Sequence, residues 1–592
     1  MTLPGIRLAT RLTATVSCAA LALSLCACTS EGGRTQDDDA DDATPVAGSV
    51  AVFTPSDAMT LSGDVPLNTW GSFVSALSDA LQERDVARKR IVASSSGDLD
   101  EQSRAVQDYV VERVSDGTVS DEELRATTLV VAPAYDTDEA TARYGDYART
   151  PVADGDGDAD AGNGSDDDAA TNGTAGNGTQ AGTDDGTSDG TNGDSDDDTD
   201  AAAVSRLASS LNLAREHGMH VVMLSDTVDG ATPDAIVAMA DAEGIGRIQA
   251  RKLADKLDLD KTSADNPKAI EVLLPVTGWQ ETDDTDAAGT DSASSDSSGD
   301  TRSDDAAASD EASRSDAWTD TAQSDGTAGE SGEDADARMG AAFAASLFKG
   351  VWSVLQPYFE DGKAFSPSGL LDAHSTDDDW SRVAFADDAG DAIASRLASD
   401  EEDVHTRIDG VIAMNDHAAQ QVVASLQQLG YTGSAADINP SITISGIVEN
   451  ITGRKDLQRN AVPDPIKAPQ ADATDADDEA EAKRDLDEFN RRWPIVTGYG
   501  AYVDAMPGIV GGSQWMTALE DRAGLADDTA AVCAALNDGG TPASAGVASL
   551  GSTTVDGHKV PTVSRDLLAV SASNLKETLI DPGYISLADA GL

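Results

Sequence analysis

Between residues 151 and 200 the chain carries no Lys or Arg while Asp, Gly, Asn, Thr and Ser dominate, and a segment of that kind cannot bury enough apolar surface to fold. Three further stretches share its character. Formal counting places about -5 in 31–47, -15 in 151–200, -16 in 281–336 and -7 in 471–488, roughly two thirds of the total charge of -67. What remains has ordinary composition, enough for two α/β domains with sizeable cores. The acidic tracts are therefore expected to be disordered insertions that leave the chain's cores intact. Such a charge also argues against nucleic acid as a partner, since phosphate binding needs basic surface.

The first 28 residues are organised differently. Arg7 and Arg11 precede an apolar run through Ala19–Leu23, followed by Leu25-Cys26-Ala27-Cys28. A permanent membrane helix needs about 20 apolar residues, and this run is shorter and ends in small ones. It resembles a bacterial lipoprotein signal peptide (1–27) with its lipobox, which implies that Cys28 becomes a lipidated N-terminus anchored to the membrane on its extracytoplasmic face. Residues 28–48 then read as a flexible tether. Cys18, Cys26 and Cys28 belong to this region, so Cys533 is left alone and no intrachain disulfide can form after cleavage. Its neighbours Ala531, Val532 and Ala534 mark it as a buried small residue.

From residue 49 onward short β-branched runs alternate with helical periodicity. Strands are expected at 49–54, 90–94, 128–132, 219–224, 236–239, 269–275, 410–414 and 495–498. Between them, Leu67, Trp70, Val74, Leu77 and Leu81 recur at helix spacing, with Asn68 as a possible cap, and another helix carries Ala105, Val106, Tyr109, Val110 and Val114. Further helices are expected at 202–216, through Ile248–Leu257, through Phe343–Leu355 with Pro357 closing it, near 385–398 and at 417–429. Strands alternating with helices predict parallel sheets covered on both faces.

Chemical motifs are few. Asp154, Asp156, Asp158 and Asp160 alternate as in a calcium loop, but Ala159 and Ser165 stand where Gly and Glu are required. His217 and His220 straddle a helix end and a strand start, so one face cannot present both to a metal. Gly244-Ile245-Gly246 lacks the third glycine of a dinucleotide fingerprint, and the chain has no nucleophile elbow, zincin helix or phosphate loop. Neither an enzyme nor a cofactor is expected.

Taken together, the ordered segments are similar to a known family. Phe348-Lys349-Gly350-Val351-Trp352, Gly362-Lys363, Ile412-Ala413-Met414-Asn415-Asp416, Gly498-Tyr499-Gly500-Ala501, Ile509-Val510-Gly511-Gly512-Ser513-Gln514-Trp515 and Asn574-Leu575-Lys576-Glu577 resemble, in order and spacing, the type I periplasmic sugar-binding proteins of ABC importers, particularly the multiple-monosaccharide and xylose-binding branch. The resemblance implies two doubly wound α/β domains joined by a hinge, closing around a carbohydrate and docking on an ABC permease. It places an N-terminal lobe at 49–225, a C-terminal lobe at 226–516, a helix returning within 517–540 and a tail crossing back within 558–592, with crossings near Leu224–Asp226 and Met516–Leu519. The site residues it implies are Trp70, Tyr135, Asp226, Asn415, Asp416, Tyr499 and Tyr502. This chain departs from the family pattern at Thr69, at Ser225-Asp226, at Asp241-Ala242 and at the Gly498-Tyr499-Gly500 turn, where charged sugar-binding side chains are replaced. Two explanations stay open: a cleft re-lined with aromatic faces for another glycan, or a scaffold kept for sensing or surface interaction without transport.

Overall fold

The computed structural model describes residues 48–57, 66–137, 139–148, 196–276, 332–386, 388–399, 404–436, 476–555 and 557–592. Cys28, its signal segment and nearly all of the tether lie outside these residues, as do 151–195, 281–331 and 471–475 of the acidic tracts.

The chain opens with β1 (Ser49–Pro55), α1 (Trp70–Glu83), β2 (Ile91–Ser96), α2 (Leu99–Ser115), α3 (Asp121–Arg125), β3 (Thr127–Val131), α4 (Glu139–Ala142), α5 (Asp196–Glu216), β4 (His220–Leu224) and β5 (Ala235–Ala238). Then follow α6 (Ala242–Lys256), β6 (Lys268–Val272), β7 (Leu274–Pro275), α7 (Gly332–Glu360), β8 (Ala364–Phe365), β9 (Ala384–Phe385), α8 (Ala389–Arg396), β10 (Gly410–Ile412), α9 (Asp416–Gln428), α10 (Ala476–Asn490), β11 (Ile495–Thr497), α11 (Met506–Gly511) and β12 (Met516–Leu519). The last elements are α12 (Arg522–Asn537), β13 (Leu550–Val555), β14 (His558–Ser564) and β15 (Leu568–Ser571).

These strands form two large sheets. The first runs β13-β14-β5-β4-β3-β1-β2, parallel except for the β13–β14 hairpin, and the second runs β15-β12-β11-β10-β6-β8, parallel except for β15. The α/β class with two doubly wound sheets is thus as the sequence implies. Alternation along β1 shows why both faces are covered. Val50 and Val52 pack with α1 and α12 residues Phe73, Leu77, Leu525 and Val532, while Ala51 and Phe53 pack with Val106, Val110 and Leu207 of α2 and α5. The second sheet repeats this, with α6 and α7 on one face and α8 and α9 on the other. Gly246 and Gly350 let α6 and α7 touch backbone to backbone: a Cβ on Gly246 would lie 2.0 Å from the Leu347 oxygen, and one on Gly350 2.0 Å from the Glu243 oxygen.

Several expectations need correction. The strand at 235–238 belongs to the first sheet, paired between β4 and β14, so the chain first passes to the second sheet at 239–241 and not at Leu224–Asp226. It returns through Glu520-Asp521, between β12 and α12, and crosses again at 565–567 between β14 and β15. Residues 476–488 are helical, within α10, not part of a disordered insertion. His405 bonds to Asp487 at 2.7 Å, and the guanidiniums of Arg407 and Arg492 stack on Phe489 at 5.1 and 4.9 Å. Residues 196–200 and 332–336 likewise begin α5 and α7, and α7 runs through Pro357 to Glu360 because a proline near a helix end removes only one hydrogen bond. The cap of α1 is Thr69, whose hydroxyl accepts from the Ser72 amide; Asn68 is free for another role. Cys533 is buried, and burial pushes its thiol up to about 12. Among the described residues no helix is long and apolar enough to cross a membrane, and no group of three or more His, Cys, Asp or Glu side chains could hold a metal ion.

Candidate functional site

Each sheet has a point where strand order reverses, between β1 and β3 in the first and between β6 and β10 in the second, and open α/β sheets bind ligands beyond the carboxyl ends of strands there. The loops at those ends meet. The Leu67 amide donates to the Gly500 oxygen at 3.0 Å, and the Tyr502 hydroxyl donates to the Arg143 oxygen at 2.7 Å. Backbone strain gathers at the same edge. Ser225 after β4, Met414 after β10 and Ala501 after β11 have φ of 64°, 66° and 54°, where residues with a Cβ are rare.

On the second lobe, Asn415 caps α9 by accepting from the Ala418 amide at 2.9 Å, which turns the chain so that Asp416 points beneath the β11 loop. Asp416 is fully buried. Its Oδ1 accepts from Gln514 Nε2 at 2.6 Å, and its Oδ2 accepts from the Thr517 hydroxyl at 2.7 Å and the Tyr502 amide at 3.0 Å. Burial pushes the carboxyl up to about 6, against the pull of these donors. Gly498 is required here, because a Cβ would sit 2.2 Å from Asp416 Oδ1. Asp416 therefore knots β10, β11 and β12 together, and its oxygens already hold protein donors.

Tyr499 and Asn68 lie deeper in the junction. Both are fully buried, and neither the Tyr499 hydroxyl nor the Asn68 carboxamide nitrogen or oxygen forms a well-aligned hydrogen bond, although the Asn68 amide lies close enough to the phenol to favour its ionised form slightly. Burial holds the Tyr499 phenol well above its ordinary range, with Glu520 adding to the shift. Glu520, in the second crossing, is equally buried. Its carboxyl is pushed up to about 8 by burial, with only the Ala240 amide offsetting and Asp521 and Asp241 adding repulsion. A carboxylic acid in this state keeps its proton at neutral pH and can donate it to a hydrogen bond.

The remaining expected residues sit elsewhere. Trp70 is the first residue of α1 and packs edge-on to Tyr147 at 5.0 Å and Phe73 at 6.3 Å within the first lobe's core. Tyr135 and Asp226 form a separate pair on the α2–α5 side of the first sheet. The Tyr135 hydroxyl donates to the Thr227 oxygen at 3.3 Å, and burial, then Asp226 and Asp229, push the phenol up to about 12. Asn415, Asp416, Tyr499 and Tyr502 thus come together, Trp70 packs on Tyr147 in the first lobe's core, and Tyr135 pairs with Thr227 and Asp226 on the α2–α5 side. Sequence reasoning did not single out Tyr144, Tyr147 or Glu520, and named Asn68 only as a cap. Hollows also open away from this junction: one of about 230 Å³ lies beside Asp57, Gly71 and Ser94, and one of about 560 Å³ lies beside Arg215, His220 and Asp234.

No family model matches the chain, and no curated protein matches it either. Solved structures do. An ABC transporter solute-binding protein from Clostridium phytofermentans with bound β-D-glucose is 16% identical, covering 91% of this chain and 99% of its own, with a TM-score of 0.41. A carbohydrate transporter solute-binding protein from Chloroflexus aurantiacus in complex with D-glucose is 15% identical, covering 91% and 97%, with a TM-score of 0.41. A sugar ABC transporter protein from Actinomyces odontolyticus is 10% identical, covering 90% and 98%, with a TM-score of 0.39.

Proposed function

We propose that the chain is a two-lobed solute-binding protein that closes around a neutral, polyhydroxylated solute of the sugar class and presents it to an ABC permease, held to the membrane through Cys28. The observation that carries this reading is a buried polar pair at the lobe junction that lacks well-aligned protein hydrogen bonds and has only each other close by: the Asn68 carboxamide and the hydroxyl of Tyr499. Buried polar atoms in native proteins are almost always hydrogen-bonded, and leaving one unpaired costs about 1–3 kcal/mol. A sugar hydroxyl is both donor and acceptor, so it complements an amide nitrogen, an amide oxygen and a phenol at once, while Tyr rings offer apolar faces to the ring's CH groups. The protonated Glu520 adds a neutral donor, suiting an uncharged solute. Three crossings between the sheets supply the hinge that such closure requires.

Isothermal titration of the protein with a panel of pentoses, hexoses and short oligosaccharides tests this. Binding of at least one member, weakened about tenfold or more by Asn68→Ala, is the expected result. No heat from any member would sink the carbohydrate assignment.

A further inference from the structure

We propose that residues 139–148, a segment of the chain's own first lobe, occupy the place of the solute's ring in the closed molecule, so that binding is a displacement. The proposal rests on the sugar-binding reading above and concerns how that same site is regulated.

The segment follows β3 of the first sheet, yet Tyr144 and Ala148 are buried in the second lobe's core among Ile245, Phe343, Leu347 and Tyr499. Tyr144 lies edge-on to Phe343 at 5.1 Å and tilted over Tyr499 at 6.2 Å, the relation that a sugar ring would have to an aromatic wall. Tyr499 also belongs, with Asn68, to the buried polar pair on which the sugar-binding reading rests, so the tyrosine ring and the expected solute claim one location. Asn68, the other, is overlain by the same segment: the Asp146 amide donates to the Asn68 backbone oxygen at 3.0 Å, and a Cβ on Gly145 would come within 3.0 Å of that atom.

The segment is fastened to both lobes. Asp146 accepts from the Trp70 amide at 2.9 Å, Tyr147 donates to the Thr69 oxygen at 2.6 Å, and Tyr502 from the opposite lobe donates to the Arg143 oxygen. Its only regular structure is the four-residue α4, far too short to persist without neighbours. Several of these bonds run from the segment to its own lobe, so it can leave the second lobe while staying attached to the first.

Displacement lowers apparent affinity in proportion to the fraction of molecules in which the segment is docked. Tyr144→Ser removes the ring that competes. Titration with D-glucose, D-xylose and maltotriose should show binding tightened about tenfold in this variant, and saturating sugar should raise amide exchange across 140–148 in the unaltered protein. Tyr502→Phe, which removes one fastening and leaves the fold's cores intact, should shift both readouts in the same direction by less. Sugar that binds the unaltered protein without raising exchange at 140–148, or that binds Tyr144→Ser no more tightly, overturns the proposal. If no sugar binds any of the three proteins, the carbohydrate reading fails separately; the docked segment is then judged by X-ray scattering. An enlarged radius of gyration in Tyr144→Ser is expected, and an unchanged one counts against it.

Discussion

Two buried acids sit within the lobe junction and are treated in opposite ways. Asp416, in the second lobe, is met by Gln514, Thr517 and the Tyr502 amide, and its carboxyl rises only to about 6. Glu520, in the crossing between lobes, has the Ala240 amide and otherwise repelling neighbours in Asp521 and Asp241, and rises to about 8. The first acid is an anchor whose donors are supplied by three residues of one lobe. The second is left short of donors in a passage between the two sheets. Burial cost is offset within the second sheet's framework and is left standing in the passage between the sheets.

The sharpest way to break this contrast is Asp416→Ala, which strands three donors in the interior and should cost about 3–5 kcal/mol in chemical denaturation; a cost below 1 kcal/mol would show the knot to be incidental. Glu520 should instead appear in the pH dependence. Its folded carboxyl titrates at about 8 against an ordinary 4.5, so the folded chain retains a proton that the unfolded chain releases. That stabilisation is fully present below pH 4.5 and is lost as pH rises to 8, on the order of 5 kcal/mol across the window. Glu520→Gln removes the dependence, so its melting temperature should gain on the unaltered protein steadily from pH 5 to pH 8; parallel curves would refute the assignment. Gly498→Ala pushes a Cβ into Asp416 and should destabilise by about 1–3 kcal/mol without altering that slope. Tyr135→Phe, far from both acids, should change stability by about 1 kcal/mol or less and leave sugar titrations unaffected, separating the Tyr135–Asp226 pair from the junction.

Much of the architecture was legible because its signal is local. The buried run Ser49–Thr54 and the apolar stripe of α1 each announce their period in a dozen residues. The first crossing was misplaced because β5 is only four residues long and follows a turn at Ser225-Asp226, so no periodic pattern marks which sheet it joins. The helix at 476–490 was hidden by its charge, although Ala, Glu, Lys and Arg are good helix formers and Phe489 gives it a contact. At the junction, Asp416 stood out by its place after a strand, but its hold on Gln514, Thr517 and the Tyr502 amide joins residues distant in sequence and left no local signal. Glu520 is one acid among 107 Asp and Glu, and Tyr144 and Tyr147 lie in a segment with no period; only the approach of two lobes gives them meaning.

The glycine contact between α6 and α7 bears on motion. Helices whose main chains interlock that closely cannot slide past each other without collision, so the second lobe has little internal give. Any opening must be delivered at the slender passages around 239–241, 520–521 and 565–567. There Arg565 clasps Asp521 at 2.8 Å and Asp528 at 2.7 Å, a brace across two of those passages that would resist the opening the proposed function requires.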